Sequence, residues 1–218
     1  MDAPIVRTMS AQIAARLRDK ILSGVYAPGS TLLQDSIAAE FGVSKIPVRE
    51  ALVHLRSEGL VDIHAHRGFQ VRALSADEVQ EVFRLRLKLE PTAVADGAKQ
   101  ATEADHVVAR SALAALTHAL TENKLADAGD LNCAFHLALI VPRLQPVAFE
   151  ILTRLHTLSQ RYVRVHLQPV GRVRRATKEH NALFAAWHSG NAKEASRLTL
   201  AHIEETRDEL TAALTSSQ

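Results

Sequence analysis

Cysteine is almost missing. Cys133 is the only one in 218 residues, which excludes an intrachain disulfide and permits a reducing compartment without requiring one. The residue reads as core filling. Aromatic residues are scarce at 4%, and with Ala and Leu abundant the composition favours helices over sheets. Long apolar runs are also lacking. The most apolar uncharged stretch, Leu131 to Pro142, falls well short of the ~20 residues that cross a bilayer, and the opening MDAPIVRTMS has no signal-peptide core. A soluble, cytoplasmic protein with no membrane partner is expected. Nor is one sign of charge in excess: the formal balance is +2, so any affinity for nucleic acid has to come from a local patch. No low-complexity segment or solenoid-period repeat is present.

The length suits two domains, and the chemistry changes near residue 74. Residues 1–74 hold nine Lys or Arg against seven Asp or Glu, whereas residues 75–218 hold seventeen of each. The small basic excess belongs to the first part. Thr8 to Leu22 spaces Met9, Ile13, Leu17 and Ile21 as one helical face. Gly24 ends that helix, Ala27-Pro28-Gly29-Ser30 is turn chemistry, and Thr31 to Leu33 reads as extended. A short helix over Asp35 to Glu40 stops at Gly42.

The stretch Phe41 to Leu55, FGVSKIPVREALVHL, is the centre of this part. Ser44 is a ready N-cap, and Pro47 falls in the first turn, where a missing N–H breaks no helical bond. Val48, Ala51, Leu52 and Leu55 make an apolar face, with Lys45, Arg49 and Arg56 on another. An ordinary surface helix has this pattern too. The flanking residues decide between the two: after Gly59, Leu60 to Ile63 and Phe69 to Arg72 read as two short strands about a tip at His64 to Gly68. Arg67 and Gly68 at that tip suit a phosphate or minor-groove approach. A basic helix with such a wing directly after it is a winged helix-turn-helix.

The run from Leu22 to Val71, with LSGVYAPGSTL, IAAEFGVSKIPVREAL, LRSEGLV and RGFQV, resembles the DNA-binding domain of GntR-family bacterial transcription regulators. The resemblance implies a homodimer on a pseudo-palindromic double-stranded DNA operator. DNA-facing positions would be Ser44, Lys45, Ile46, Pro47 and Arg49 at the helix start and Arg67 and Gly68 in the wing. Two positions depart from the family pattern. Lys45 stands where Arg is common, and a lysine lacks the fork that reads guanine. Ile46 stands where a small polar residue is common; it cannot hydrogen-bond a base edge but can touch a thymine methyl.

Ser75-Ala76-Asp77-Glu78 has the form of a capping box and opens a second domain, 75–218. Six helices are expected, over about 76–99, 103–120, 128–141, 146–166, 174–188 and 191–215, forming an antiparallel bundle. The fold class is therefore mainly α, a winged helix-turn-helix with a short hairpin followed by an all-α bundle. Arg86 and Glu90 fall on the apolar stripe of the first of these helices. Pairing with each other at i, i+4 is the simpler reading; the alternative is that Arg86 awaits a carboxylate ligand. Eight of the eleven His lie in this domain. His106, His118, His156, His166 and His188 read as surface or ordinary core residues. His136, His180 and His202 sit on inward faces of three helices, where they are either core residues or ligands of one metal.

FRLRLKLEPTAVADGA (83–98), NCAFHLAL (132–139), EHNALFAAWHSGNAKEA (179–195) and LTLAHI (198–203) resemble the FCD ligand-binding domain of the FadR-type branch of the same family. There, one Asp and three His hold a divalent metal that helps bind a small carboxylate effector. The resemblance assigns the three His to His136, His180 and His202, and matches Arg86 to an effector-pocket Arg. It implies one zinc or nickel per subunit. Asn132 replaces the Asp, removing a negative charge from the metal's shell, so metal binding should be weaker unless an anionic effector restores it. The function implied is a ligand-responsive repressor. Alternatives are a regulator that senses metal alone and a metal-dependent hydrolase; the second lacks an H-E-x-x-H helix, and Glu179, next to His180, is expected to point away. No enzyme activity is expected.

Overall fold

The structure, a computed structural model, describes residues 8–65, 67–122, 125–140, 145–167 and 171–215. The chain divides into two compact units, 1–74 and 75–218.

In the first unit α1 (Met9–Leu22) is capped by Thr8, whose hydroxyl accepts from the Ala11 amide at 3.2 Å. α2 (Gln34–Phe41) ends at Gly42, which takes φ 65°, a left-handed conformation that costs glycine little. α3 (Lys45–Ser57) follows at once. Ser44 is extended as an N-cap should be, but its hydroxyl forms no cap bond, a departure from the sequence expectation. The buried face of α3 is Val48, Ala51, Leu52 and Leu55, packed on Ile13, Leu17 and Ile21 of α1. β2 (Val61–His64) and β3 (Gly68–Val71) form an antiparallel hairpin, with His64 opposite Gly68. β1 (Thr31–Leu32) adds to the free side of β3. Helices two and three with a small sheet make the winged helix-turn-helix.

The second unit is wholly helical among the described residues: α4 (Ala76–Gln100), α5 (Glu103–Thr121), α6 (Leu125–Ile140), α7 (Pro146–Leu167), α8 (Arg172–His188) and α9 (Ala192–Thr215). α4 is central and packs on α6, α7, α8 and α9. It continues through Pro91, although proline there removes one helical hydrogen bond. The Ser75 hydroxyl accepts from the Glu78 amide at 3.3 Å. Tyr162 of α7 then ties down this first turn: its hydroxyl accepts from the Ser75 amide at 3.3 Å and bonds the Glu78 carboxylate. Gly97 lets α4 meet α6 backbone to backbone, because a side chain at that position would run into the Leu139 carbonyl oxygen. That same oxygen accepts from Trp187 Nε1 of α8 at 2.9 Å. Three helices are thereby held at one point. No helix among the described residues is long and apolar enough to cross a membrane.

Candidate nucleic-acid interface and metal centre

At the start of α3 the side chains Ser44, Lys45, Ile46 and Arg49 are exposed, and Pro47 is half-buried. Ile46 is 71% exposed while Val48 is fully buried, so two residues, about half a helical turn, separate a core residue from an apolar side chain held out in water. Lys45 Nζ lies 2.5 Å from Asp35 Oδ1 of α2. Both ends of that pair are exposed, so it is weak and readily exchanged for a phosphate. Arg67 and Gly68 are exposed at the hairpin tip, where Gly68 has φ 72°. His66, within the same tip, lies outside the described residues.

Inside the bundle, α6, α8 and α9 bring His136, His180 and His202 together. One ring nitrogen of each lies within 4.8 Å of the others. Asn132, one turn before His136, lines the same cavity as Arg86, Ser159, His180 and His202. His136 is fully buried, and neither of its ring nitrogens has a hydrogen-bond partner. Burying an imidazole without partners is costly, and a cation shared with His180 and His202 would satisfy it. Three imidazole nitrogens with an open vertex suit zinc or nickel; the donor set therefore fits the metal.

Two carboxylates stand behind these rings. His202 Nδ1 is 2.7 Å from Glu179 Oε2. Glu179 thus does not point away, as its place beside His180 suggested. Its side chain is long enough to reach round the helix, and α9 lies alongside to receive it. With Nδ1 engaged by Glu179, a metal held by His202 would be met by Nε2. On the other side His136 Nδ1 lies 3.3 Å from Glu90 Oε1, close enough to be attracted.

Glu90 is the hub of a buried cluster. Arg86 Nε and Nη2 donate to its two oxygens at 2.8 and 3.2 Å, and Arg86 Nη1 donates to Ser159 Oγ at 3.3 Å. The pair predicted from the i, i+4 spacing is present, and it leaves most of the Arg86 fork engaged. His156 Nε2 lies 3.2 Å from the second oxygen of Glu90. Burial alone would raise the Glu90 carboxyl, but Arg86, His156 and His136 together hold it well below the usual carboxylate range. Burial outweighs Glu90 for His156 and pushes its pKa down to about 4, so this ring is neutral.

His156 is only 1% exposed, so of the two readings, surface or ordinary core, it is the core one that applies, and the ring also belongs to the Glu90 cluster. A signal for it existed, since Leu152, Leu155, His156, Ser159 and Tyr162 follow one another at helical spacing and all are buried. The His166 side chain lies outside the described residues. Cys133 is buried, and desolvation pushes its thiol up to about 11, consistent with an inert core residue.

Comparison with known proteins gives matches to both units. The model for bacterial regulatory proteins of the gntR family matches residues 9–71, and that for the FCD domain matches residues 81–205. The uncharacterized HTH-type transcriptional regulator YdhC of Bacillus subtilis is 35% identical over 83 residues, 38% of this chain and only 37% of that protein. The HTH-type transcriptional repressor RspR of Escherichia coli is 25% identical over 197 residues, covering 90% of this chain and 86% of RspR. The solved structure of E. coli McbR/YncC superposes with a TM-score of 0.80 at 21% identity, covering 98% of this chain and all of the other, a likeness of fold.

Proposed function

The chain belongs to the GntR family of bacterial regulators, in the branch that carries an FCD domain, and from that premise we propose a metabolite-responsive repressor whose effector is a small carboxylate. It is a transcriptional regulator and not an enzyme. The repressor reading is supported by similarity to RspR, itself a repressor. The proposed DNA contacts are Ser44, Lys45, Ile46, Pro47 and Arg49 at the start of α3, with Arg67 and Gly68 in the wing. A homodimer would set two such helices about one DNA turn apart on a pseudo-palindrome.

The observation that carries the effector reading is the convergence of His136, His180 and His202 on a cavity also lined by Asn132 and Arg86. A divalent metal held there would supply a Lewis-acidic vertex for a carboxylate. His136, His180 and His202 would hold it, and Glu179 and Glu90 orient two of the rings from behind. Asn132 brings no charge, so an anion completing the site would be favoured more strongly than with an Asp in that place. Effector binding then shifts the population of DNA-competent dimers.

The test is metal titration of the chelator-treated protein, followed by operator binding with and without small acids. Zinc or nickel should bind at about one per subunit, His136→Ala should abolish it, and Asn132→Asp should tighten it about tenfold or more. A chain that binds no metal under any of these conditions sinks the metal reading. Control of operator affinity by metal with no acid present would instead favour a metal sensor.

A further inference from the structure

The cavity in the bundle has a polarity axis. α4, α6 and α8 each meet it with a pair of residues one turn apart, and in each the apolar member comes first: Phe83 then Arg86, Ala128 then Asn132, Ala176 then His180. α9 runs antiparallel to α8, because Arg175 meets Glu205 at 2.7 Å while Glu179 meets His202 at 2.7 Å. It meets the cavity in the reverse order, His202 first and Leu210 last. α4 agrees in level: Gln80, just before Phe83, donates to Thr211, just after Leu210, at 2.8 Å. Four helices therefore place polar groups, Arg86, Asn132, His180 and His202, at one end and Phe83, Ala128, Ala176 and Leu210 at the other.

Between the two ends the wall offers little for a polar ligand. The Thr206 hydroxyl donates to the His202 carbonyl at 2.8 Å, and the Ser159 hydroxyl donates to the Leu155 carbonyl at 2.8 Å while accepting from Arg86. Leu116 and Leu120 of α5 close the side. His202 and Leu210 are separated by ~12 Å of helix at ~1.5 Å per residue.

We propose that the effector is a monocarboxylic acid with an apolar body, aliphatic or aromatic, of several carbons and without hydroxyl groups along it. The carboxylate lies in the layer of Asn132, His180 and His202, and the body extends toward Phe83 and Leu210. A polyhydroxylated acid of the same length is rejected, because its hydroxyls would be dehydrated against Phe83, Leu116, Leu120 and Leu210 without partners. The inference rests on the reading that this cavity takes a carboxylate.

The experiment is calorimetric titration of the full-length, zinc-loaded protein with acetate, butyrate, hexanoate, phenylacetate and gluconate, and with hexanamide as an uncharged control. Affinity should rise about fourfold per methylene through the straight-chain series and level off once the body reaches Leu210. Phenylacetate should exceed acetate at least tenfold, and gluconate should bind no tighter than acetate. Leu210→Asn should weaken hexanoate about tenfold and leave acetate unchanged; the wild-type series stands alone if that variant does not fold. A flat series, or gluconate as the tightest acid, overturns the apolar body while leaving the carboxylate reading intact. Hexanamide binding as tightly as hexanoate removes the carboxylate and keeps the apolar body. No binding by any of the six overturns both.

Discussion

In residues 1–74 the interior is Ile13, Leu17, Ile37, Leu52, Leu55, Phe69 and their apolar neighbours, and among the described residues no charged or histidine side chain is buried there. In residues 75–218 the interior encloses Arg86, Glu90, His136, His156, Ser159, Arg161, His180 and Thr199. The first unit has an interior that needs almost no pairing, with basic and apolar side chains outside on the α3 start and the hairpin tip. The second has its reactive groups inside, where each needs a partner of opposite character to remain. The DNA surface and the small-ligand cavity proposed above would call for these opposite arrangements.

The largest test of the contrast is Glu90→Ala. It strands the Arg86 guanidinium in the bundle core and should cost about 3–5 kcal/mol, read by urea denaturation with hydrogen exchange locating the loss in α4 to α9. The double change Arg86→Met with Glu90→Leu should recover most of it. A neutral Glu90→Ala would mean the buried cluster is not held by its charges. Leu52→Ala, in the apolar core, should cost about 3 kcal/mol by leaving a cavity, with no partner change able to restore it. Arg49→Ala should weaken operator binding by about 1–3 kcal/mol and shift unfolding by no more than about 0.5 kcal/mol; a loss of stability instead would remove the distinction between core and contact surface. The smallest effect is expected at Ile46: the operator should carry a thymine opposite it, and replacing that thymine with uracil removes only the methyl. Losing one buried methyl contact should cost about 1 kcal/mol, measured by competition between the two operators, and equal binding would show that Ile46 does not meet that base.

The elements were legible where local chemistry decides them. Gly42, the buried spacing of Val48, Ala51, Leu52 and Leu55, and the hairpin around Gly68 all act within a few residues, and the structure forms them where the pattern predicts. Ser44 was the exception: an N-cap residue by type whose hydroxyl makes no cap bond. Inside the bundle, spacing along one helix sufficed for the Arg86–Glu90 pair. It did not suffice for Glu179, whose direction is set by a ring on α9, nor for the meeting of His156 with Glu90, which joins α7 to α4. Such contacts depend on how helices far apart in sequence are set against each other. One helical face contains no record of what lies opposite.

Gly97 shows how that setting is protected. By helix propensity alone, exchanging a glycine in mid-helix for alanine is favourable by ~1 kcal/mol, so random substitution at residue 97 should repeatedly produce a better α4. The Leu139 carbonyl closes that route, since the added methyl would run into it. Leu139 lies three residues beyond His136 on α6, and Trp187, bonded to the same oxygen, lies seven beyond His180 on α8. A change at residue 97 is therefore judged by the spacing between helices and not by the quality of one. The histidines can keep their identity through mutation and still lose their meeting point if a single hydrogen atom on this glycine becomes a methyl group.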